Sequence, residues 1–122
     1  MKKIFINHTN HPKEHWSAEQ ISAAKVYGEI LDMAFPAISA TATAQEIREL
    51  VKRNLKKILE LKPAVVLCQG EFNYTFAMVE ELKKLGIKVV AATSERVVAE
   101  EILSDDSTQK ISNFRFVQFR EY

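Results

Sequence analysis

The chain has 122 residues, and 47% of them are hydrophobic. This length allows one domain, expected over residues 1–122, and excludes a two-domain enzyme. The 17 basic residues nearly cancel the 16 acidic ones, and the net charge of +1 excludes a global attraction to duplex DNA or to an anionic membrane. One cysteine excludes an internal disulfide, and no apolar run approaches the roughly 20 residues that cross a bilayer, so we expect a cytoplasmic protein.

The first half of the chain alternates short β-branched runs with stretches of helical period. Lys3 to Asn7 is predicted as a first strand, because its apolar run is too short for a signal peptide. Ser17 and Gln20 form a capping box that begins a helix, and Gly28 suits its end. Glu29 to Met33 is predicted as the second strand.

The most regular pattern in the sequence follows Thr43 and Glu46, which form a second capping box. Apolar residues then recur at helical spacing, which predicts a long amphipathic helix. These residues are Ile47, Leu50, Val51, Leu55, Ile58 and Leu59. The basic residues between them form either a solvated face or an anion-binding patch.

The second half of the chain continues the alternation and then changes. Ala64 to Cys68 is a third strand, and a third helix closed by Gly86 leads to a fourth strand, Ile87 to Ala92. Two alternating stretches then flank a polar turn, which predicts an antiparallel hairpin of Arg96 to Leu103 and Ile111 to Arg120. The fold class is therefore α/β, a single Rossmann-like domain with helices on both faces of the sheet.

Right-handed crossovers predict a parallel sheet of order 2-1-3-4, whose switch point lies between strands one and three. Ligands of such sheets bind beyond the carboxyl ends of the strands at that point. The residues that follow strands one, three and four are therefore the candidate site. They are Asn7, His8, Thr9, Asn10 and His11, then Gln69, Gly70, Glu71 and Phe72, and then Thr93, Ser94 and Arg96.

These residue types offer donors, acceptors and one permanent cation, as a phosphodiester or a ribose requires. Each also has an ordinary structural use. Asn7, Thr9 and Asn10 can shape a turn, and the Glu71 carboxylate can favour a helix N-terminus. Arg96 can pair with a nearby glutamate. Three histidines near the N-terminus invite a metal site, but a proline interrupts their spacing, and we expect neither a metal nor a cofactor.

The second half of the chain carries a recognisable arrangement of motifs. Val65 to Phe72, Ala91 to Arg96 and Val117 to Tyr122 together resemble the small CRISPR-associated proteins of type III systems that are related to ring nucleases. That resemblance covers roughly residues 64–122. It implies a fold akin to the CRISPR-associated Rossmann-fold (CARF) sensor domains, and a role in antiviral defence. The chain departs from the family at Glu71, where Asp is common, and at Glu95, where a basic residue often precedes the arginine.

The resemblance implies binding and metal-independent cleavage of a cyclic oligoadenylate second messenger. A ribose 2′-OH would attack its own phosphate, with Arg96 holding the phosphate and His8 or Glu71 accepting the proton. Gln69, Thr93 and Ser94 would position ribose and phosphate. The ligand is rotationally symmetric, which favours a C2 homodimer with one ring across its axis.

Three interpretations remain open at this stage. The chain is either the ring nuclease just described or a non-catalytic module that senses or sequesters a nucleotide messenger, which the acid at Glu95 favours. The third interpretation is an unrelated small α/β enzyme or interaction subunit. No glycine-rich dinucleotide motif, Walker A motif or nucleophile elbow is present.

Overall fold

The computed structural model describes residues 2–122, and every strand and helix predicted above falls within them. Across this range the chain forms one α/β domain with three α-helices and a five-stranded sheet. In chain order the elements are β1 (Ile4–Thr9), α1 (Ala18–Lys25), β2 (Glu29–Asp32), α2 (Ala44–Glu60), β3 (Val65–Gln69), α3 (Phe72–Lys84), β4 (Lys88–Ile102) and β5 (Thr108–Glu121), with a 3₁₀ turn at Lys13–His15.

The strand order is β2-β1-β3-β4-β5. The first four strands are parallel and occur in the expected order 2-1-3-4, with β1 and β3 as direct neighbours. β5 adds to β4 in the antiparallel sense, so the sheet as a whole is mixed. The predicted switch point is therefore confirmed, as is the antiparallel hairpin at the C-terminus.

The predicted break between the fourth strand and the hairpin is wrong. β4 runs without interruption from Lys88 to Ile102, because Thr93, Ser94 and Glu95 all pair with β5. The register shifts between Thr93 and Ser94, and Val117 on β5 is left without a partner, as in a β-bulge. One long strand therefore serves both as the fourth parallel strand and as the first strand of the hairpin.

One face of the sheet packs against α2 and α3. Ile6, Val66 and Val89 of the sheet meet both helices in a single buried cluster. The amphipathic pattern of α2 thus points into this core, as its sequence predicts. The buried helix residues are Ile47, Val51, Ile58, Tyr74, Met78, Val79 and Leu82.

The opposite face of the sheet is covered by α1 and by aromatic side chains. Phe5 is fully buried there, and the rings of Trp16, Tyr27 and Phe119 all lie within 6.3 Å of its centroid. Helices therefore lie on both faces. α1 is short, so aromatic packing supplies much of the burial on this side.

Polar side chains cap the starts of α1 and α2, and a glycine follows α3, whereas α1 ends at Lys25, three residues before the predicted Gly28. Ser17 caps α1 through Gln20 N, and Thr43 and Glu46 form the predicted capping box of α2. Gly86 follows α3 with φ of +74°, a left-handed conformation that favours glycine. Among residues 2–122, no helix combines the length and apolarity needed to cross a membrane.

Candidate functional site

A cleft of about 520 Å³ opens beyond the carboxyl ends of β1 and β3, at the switch point of the sheet. Its walls come from three places: the β1 loop with the start of α1, the turn between β3 and α3, and the first outward residues of β4. Within the described chain, no aspartate or glutamate lines it. The lining residues are Thr9, Asn10, His11, His15, Trp16, Gln20, Leu67, Gln69, Gly70, Phe72, Ala92 and Ser94.

The structure brings seven of the twelve candidate residues to this cleft. The other five occupy different positions and are described individually below. The seven are Thr9, Asn10, His11, Gln69, Gly70, Phe72 and Ser94.

The loop after β1 is shaped by its own side chains. The Asn7 amide donates to the His11 carbonyl at 2.9 Å and to the Asp32 carboxylate at 2.8 Å. The Thr9 hydroxyl donates to Asn7 Oδ1 at 2.8 Å and accepts from the His11 backbone N–H at 3.1 Å. Asn7 is buried outside the cleft, so its expected ligand role gives way to shaping the turn. Asn10 and His11 remain exposed on that turn.

His8 is placed away from the cleft, and the expected role as proton acceptor does not fit this position. Side chains alternate along β1, so His8 points to the face opposite its neighbours Asn7 and Thr9 and is fully buried. Its Nδ1 lies 2.8 Å from the Met33 carbonyl, and its Nε2 lies 2.7 Å from the Tyr74 hydroxyl. Burial lowers the pKa of His8, which favours the neutral ring.

The turn after β3 carries Gln69 and Gly70 into the cleft. The Gln69 amide accepts from the Ala92 backbone N–H at 2.9 Å and donates to the Ala92 carbonyl at 3.3 Å. This side chain therefore joins β3 to β4 just beyond their last backbone pair. Gly70 has no room for a side chain, because a Cβ there would collide with the ring of Phe35.

Glu71 is occupied as the N-terminal cap of α3. One carboxylate oxygen accepts from Asn73 N at 2.9 Å, and the other accepts from Tyr74 N at 3.0 Å. The structural alternative stated for Glu71 is thus what the structure shows, and a catalytic role does not fit it. The N–H groups of Asn73 and Tyr74 are therefore already bonded and do not face the cleft as free donors for an anion.

The three candidates on β4 have different environments. The Thr93 hydroxyl donates to the Gln118 carbonyl at 3.0 Å and does not line the cleft, whereas Ser94 does. Arg96 lies two residues beyond Ser94, on the same face of the strand. Its Nε donates to the Ser112 hydroxyl at 2.6 Å, and in residues 2–122 it forms no ion pair with an acid. Arg96 itself does not line the cleft, and its bond to Ser112, which lies opposite Val98, directs the side chain along the hairpin.

Sequence reasoning missed the wall contributed by the 3₁₀ turn and the start of α1. His15, Trp16 and Gln20 line the cleft there, and the Trp16 indole donates to the His11 carbonyl at 2.9 Å. A tryptophan beside a capping box in a polar segment was the available signal. Phe72 stands out as well, because 89% of its surface is exposed although it is aromatic.

Two further points concern the single cysteine, Cys68, and the grouping of metal-binding side chains. Burial raises the pKa of the Cys68 thiol to about 12, so this buried cysteine is not a thiolate nucleophile. Among residues 2–122, no three His, Cys, Asp or Glu side chains come together as a metal-binding group.

The fold is an α/β domain with a cleft at the topological switch point of its sheet, the position where ligands of such sheets bind. Over residues 3–120 the sequence matches the family described as the uncharacterized protein MJ1673 family, and the chain belongs to that family. No curated protein and no solved structure matches it significantly.

Proposed function

We propose that this protein is a ring nuclease of the kind associated with type III CRISPR systems, and that it binds cyclic oligoadenylate in the switch-point cleft. The observation that carries the proposal is the composition of that cleft. It combines neutral hydrogen-bonding side chains and two imidazoles with an exposed aromatic ring, and it has no lining carboxylate in the described chain. The resemblance of residues 64–122 to this class of protein points to the same ligand.

The lining groups suit the separate parts of an adenosine phosphate. Phe72 offers a nearly free ring face, and stacking of a base on such a ring contributes about 1–3 kcal/mol. Asn10, Gln20 and Ser94 supply hydrogen-bonding groups for ribose and phosphate oxygens. Arg96 lies two residues beyond the lining residue Ser94 on the same face of β4, and its planar fork matches a phosphate with two parallel bonds.

Cleavage requires little covalent chemistry from the protein. The 2′-oxygen of one ribose attacks the adjacent phosphorus, the bond to the 5′-oxygen of the next nucleotide breaks, and the products are a 2′,3′-cyclic phosphate and a 5′-hydroxyl. The protein holds the attacking oxygen in line, while Arg96 neutralises developing charge on the phosphate.

The proton of the 2′-OH needs an acceptor within reach of the cleft. His8 is buried and Glu71 is engaged as a helix cap, so the two residues first expected in this role are otherwise occupied. His11 and His15 are exposed and line the cleft. One of these imidazoles, or water, takes the proton, and a positioned base typically adds about 10²- to 10⁴-fold to the rate.

A non-catalytic binding module is the second candidate function. The positions of His8 and Glu71 favour this function. Both residues are engaged within the fold, and a cleft that lacks its expected bases can still bind a nucleotide. For the nuclease and for the binding module alike, one symmetric cyclic oligoadenylate is bound across the axis of a C2 dimer.

The deciding experiment incubates the protein with a panel of cyclic oligoadenylates in EDTA and separates the products by chromatography. Shortened linear products over many turnovers support the ring nuclease, and binding without products supports the module. Arg96→Ala should weaken binding at least tenfold, equivalent to about 1.4 kcal/mol. Arg115→Ala is the matched control, because Arg115 lies opposite Glu95 in the ladder and so on the other face of the hairpin from Arg96. A wild-type protein that neither binds nor cleaves any ring refutes both functions.

A further inference from the structure

A groove of about 940 Å³ runs along the exposed side of α3 and begins beside the cleft. Three residues line both the cleft and the groove: Gln69, Gly70 and Phe72. Phe72 is the first residue of α3, so the groove leaves the cleft at the start of this helix and follows the helix towards its end. A ligand larger than the cleft can therefore extend from the cleft into the groove.

The walls of the groove are largely aromatic and aliphatic. Phe76 and Val79 line it from α3, and 60% of the surface of Phe76 is exposed. Tyr122 also lines the groove: its hydroxyl donates to the Cys68 carbonyl at 2.7 Å, and its own carbonyl accepts from Lys83 Nζ at 2.9 Å. These two bonds hold Tyr122 between the end of β3 and the last turn of α3.

The charged side chains of the groove lie at its far end. Glu80, Lys83 and Lys84 line it there, and Lys84 Nζ lies 3.7 Å from the Glu80 carboxylate. In the described chain, no lining residue between Gln69 and Val79 is charged. The part of the groove next to the cleft therefore suits a flat, neutral group better than an ion.

One polar group of this neutral part lacks a partner. Thr75 lines the groove between Phe72 and Phe76 in the sequence, and only 9% of its surface is exposed. Within residues 2–122 its hydroxyl forms no hydrogen bond. A buried polar group without a partner costs free energy, and most such groups in native proteins are satisfied. A ligand with a hydrogen-bond acceptor at its edge would satisfy the Thr75 hydroxyl.

The proposed ligand requires a second base site on each protomer. A cyclic oligoadenylate that is shared across a twofold axis presents half of its nucleotides to each protomer. Any such ring with more than two nucleotides therefore brings more than one base to each cleft. One base stacks on Phe72, and Phe76 follows one helical turn later, about 6 Å along the axis of α3. A single sugar–phosphate unit spans a distance of this size.

We propose that the α3 groove binds the base of the neighbouring nucleotide of the same ligand. This adenine stacks on Phe76, and one of its ring nitrogens accepts a hydrogen bond from the Thr75 hydroxyl. Adenine is flat and neutral and carries nitrogen acceptors at its edges, which matches this part of the groove. An acyl chain would fill the same space but would leave the hydroxyl of Thr75 unpaired. The inference rests on the proposed function, because it assigns a further part of the same ligand.

The test compares adenosine monophosphate with 5′-phosphorylated diadenylate, both 2′-O-methylated so that neither can be cleaved. Quenching of Trp16, the single tryptophan of the chain, reports binding because this residue lines the cleft. The wild type should bind the dinucleotide about 5- to 150-fold more tightly than the mononucleotide, which is the effect of one stacked base. Phe76→Ala should remove that gain and leave the affinity for the mononucleotide unchanged. Leu85→Ala is the matched control, because Leu85 is 53% exposed and does not line the groove.

A second variant tests the hydrogen bond to the base. Thr75→Val keeps the shape of the side chain and removes the hydroxyl, which has no partner in the described chain. The thermal midpoint of the free protein should therefore not fall, whereas the affinity for the dinucleotide should fall about 3- to 10-fold. A lower midpoint would show that the hydroxyl already has a structural partner, and it would overturn this role of Thr75.

The two proposals fail in different ways. If cyclic oligoadenylate quenches Trp16 but the dinucleotide binds no better than the mononucleotide, the groove is not a base site and the proposed function stands. A gain in affinity that survives Phe76→Ala overturns the inference in the same way. If no cyclic oligoadenylate binds, the inference and the proposed function are both refuted.

Discussion

The buried histidine makes the stability of this protein depend on pH. The Met33 carbonyl can only accept a hydrogen bond, so His8 Nδ1 carries the proton and Nε2 accepts from the Tyr74 hydroxyl. The Tyr74 oxygen in turn accepts from the Asn54 amide at 3.0 Å. Every group in this chain of hydrogen bonds is satisfied with His8 neutral. A second proton on the ring would face a hydroxyl proton and would be desolvated as well.

The direction of the effect follows from the lowered pKa of His8. Its value in the unfolded chain is 6.5, and burial places the folded value below that. The unfolded chain therefore binds protons more readily than the folded chain. The contribution of neutral His8 to the free energy of unfolding is complete above about pH 6.5 and is lost as the pH falls. The free energy of unfolding should decrease by up to about 1.4 kcal/mol per pH unit in this window.

The assay is urea unfolding followed by Trp16 fluorescence between about pH 7.5 and about pH 5. Glu46 and Asp105, whose pKa values are lowered from 4.5 and 3.8 by hydrogen bonds to Thr43 and Ser107, titrate below this range. His8→Gln removes the titration and should flatten the profile, although it also costs stability. A His8→Gln profile as steep as that of the wild type would refute the reasoning.

Three further outcomes are expected. Glu71→Ala should lower the free energy of unfolding by about 0.5–2 kcal/mol in urea titrations, because it removes the cap of α3, and full stability with lost cleavage would make Glu71 catalytic instead. Gly70→Ala should cost about 1–3 kcal/mol in the same titration, because its Cβ collides with Phe35, and an unchanged midpoint would show that the ring moves freely. Phe72→Ala should keep the thermal midpoint and weaken oligoadenylate binding, measured by calorimetry, by about 1–3 kcal/mol, whereas Val26→Ala, at a similarly exposed residue outside the cleft, should change neither quantity.

The parts of the fold that depend on periodicity could be predicted from the sequence. The stripe of α2, its capping box and the strand order follow from local spacing and from the handedness of crossovers. The continuity of β4 could not, because Thr93, Ser94 and Glu95 suit a turn as well as a strand. Only their pairing with β5, which is a tertiary contact, extends the strand through them.

The location of the candidate site was predictable, but the use of each residue was not. A switch point follows from strand order alone, and the cleft lies there. Alternation along β1 requires His8 and Thr9 to point to opposite faces, yet the sequence does not say which face opens into the cleft. Glu71 and Asn7 are engaged by neighbouring backbone and side-chain groups, and such competition between local and ligand contacts is decided only in the folded chain.

The strand connectivity also has a consequence for the folding kinetics. The hairpin of β4 and β5 joins neighbours in sequence and can close within microseconds, whereas the parallel pairing of β1 with β3 joins residues about sixty positions apart, such as Ile6 and Val66. That pairing has the larger loop-closure entropy and should limit the rate of folding. During synthesis on a ribosome, β1 cannot pair with its second neighbour until β3 has emerged. Phe5 and Ile6 therefore remain exposed to solvent until that point.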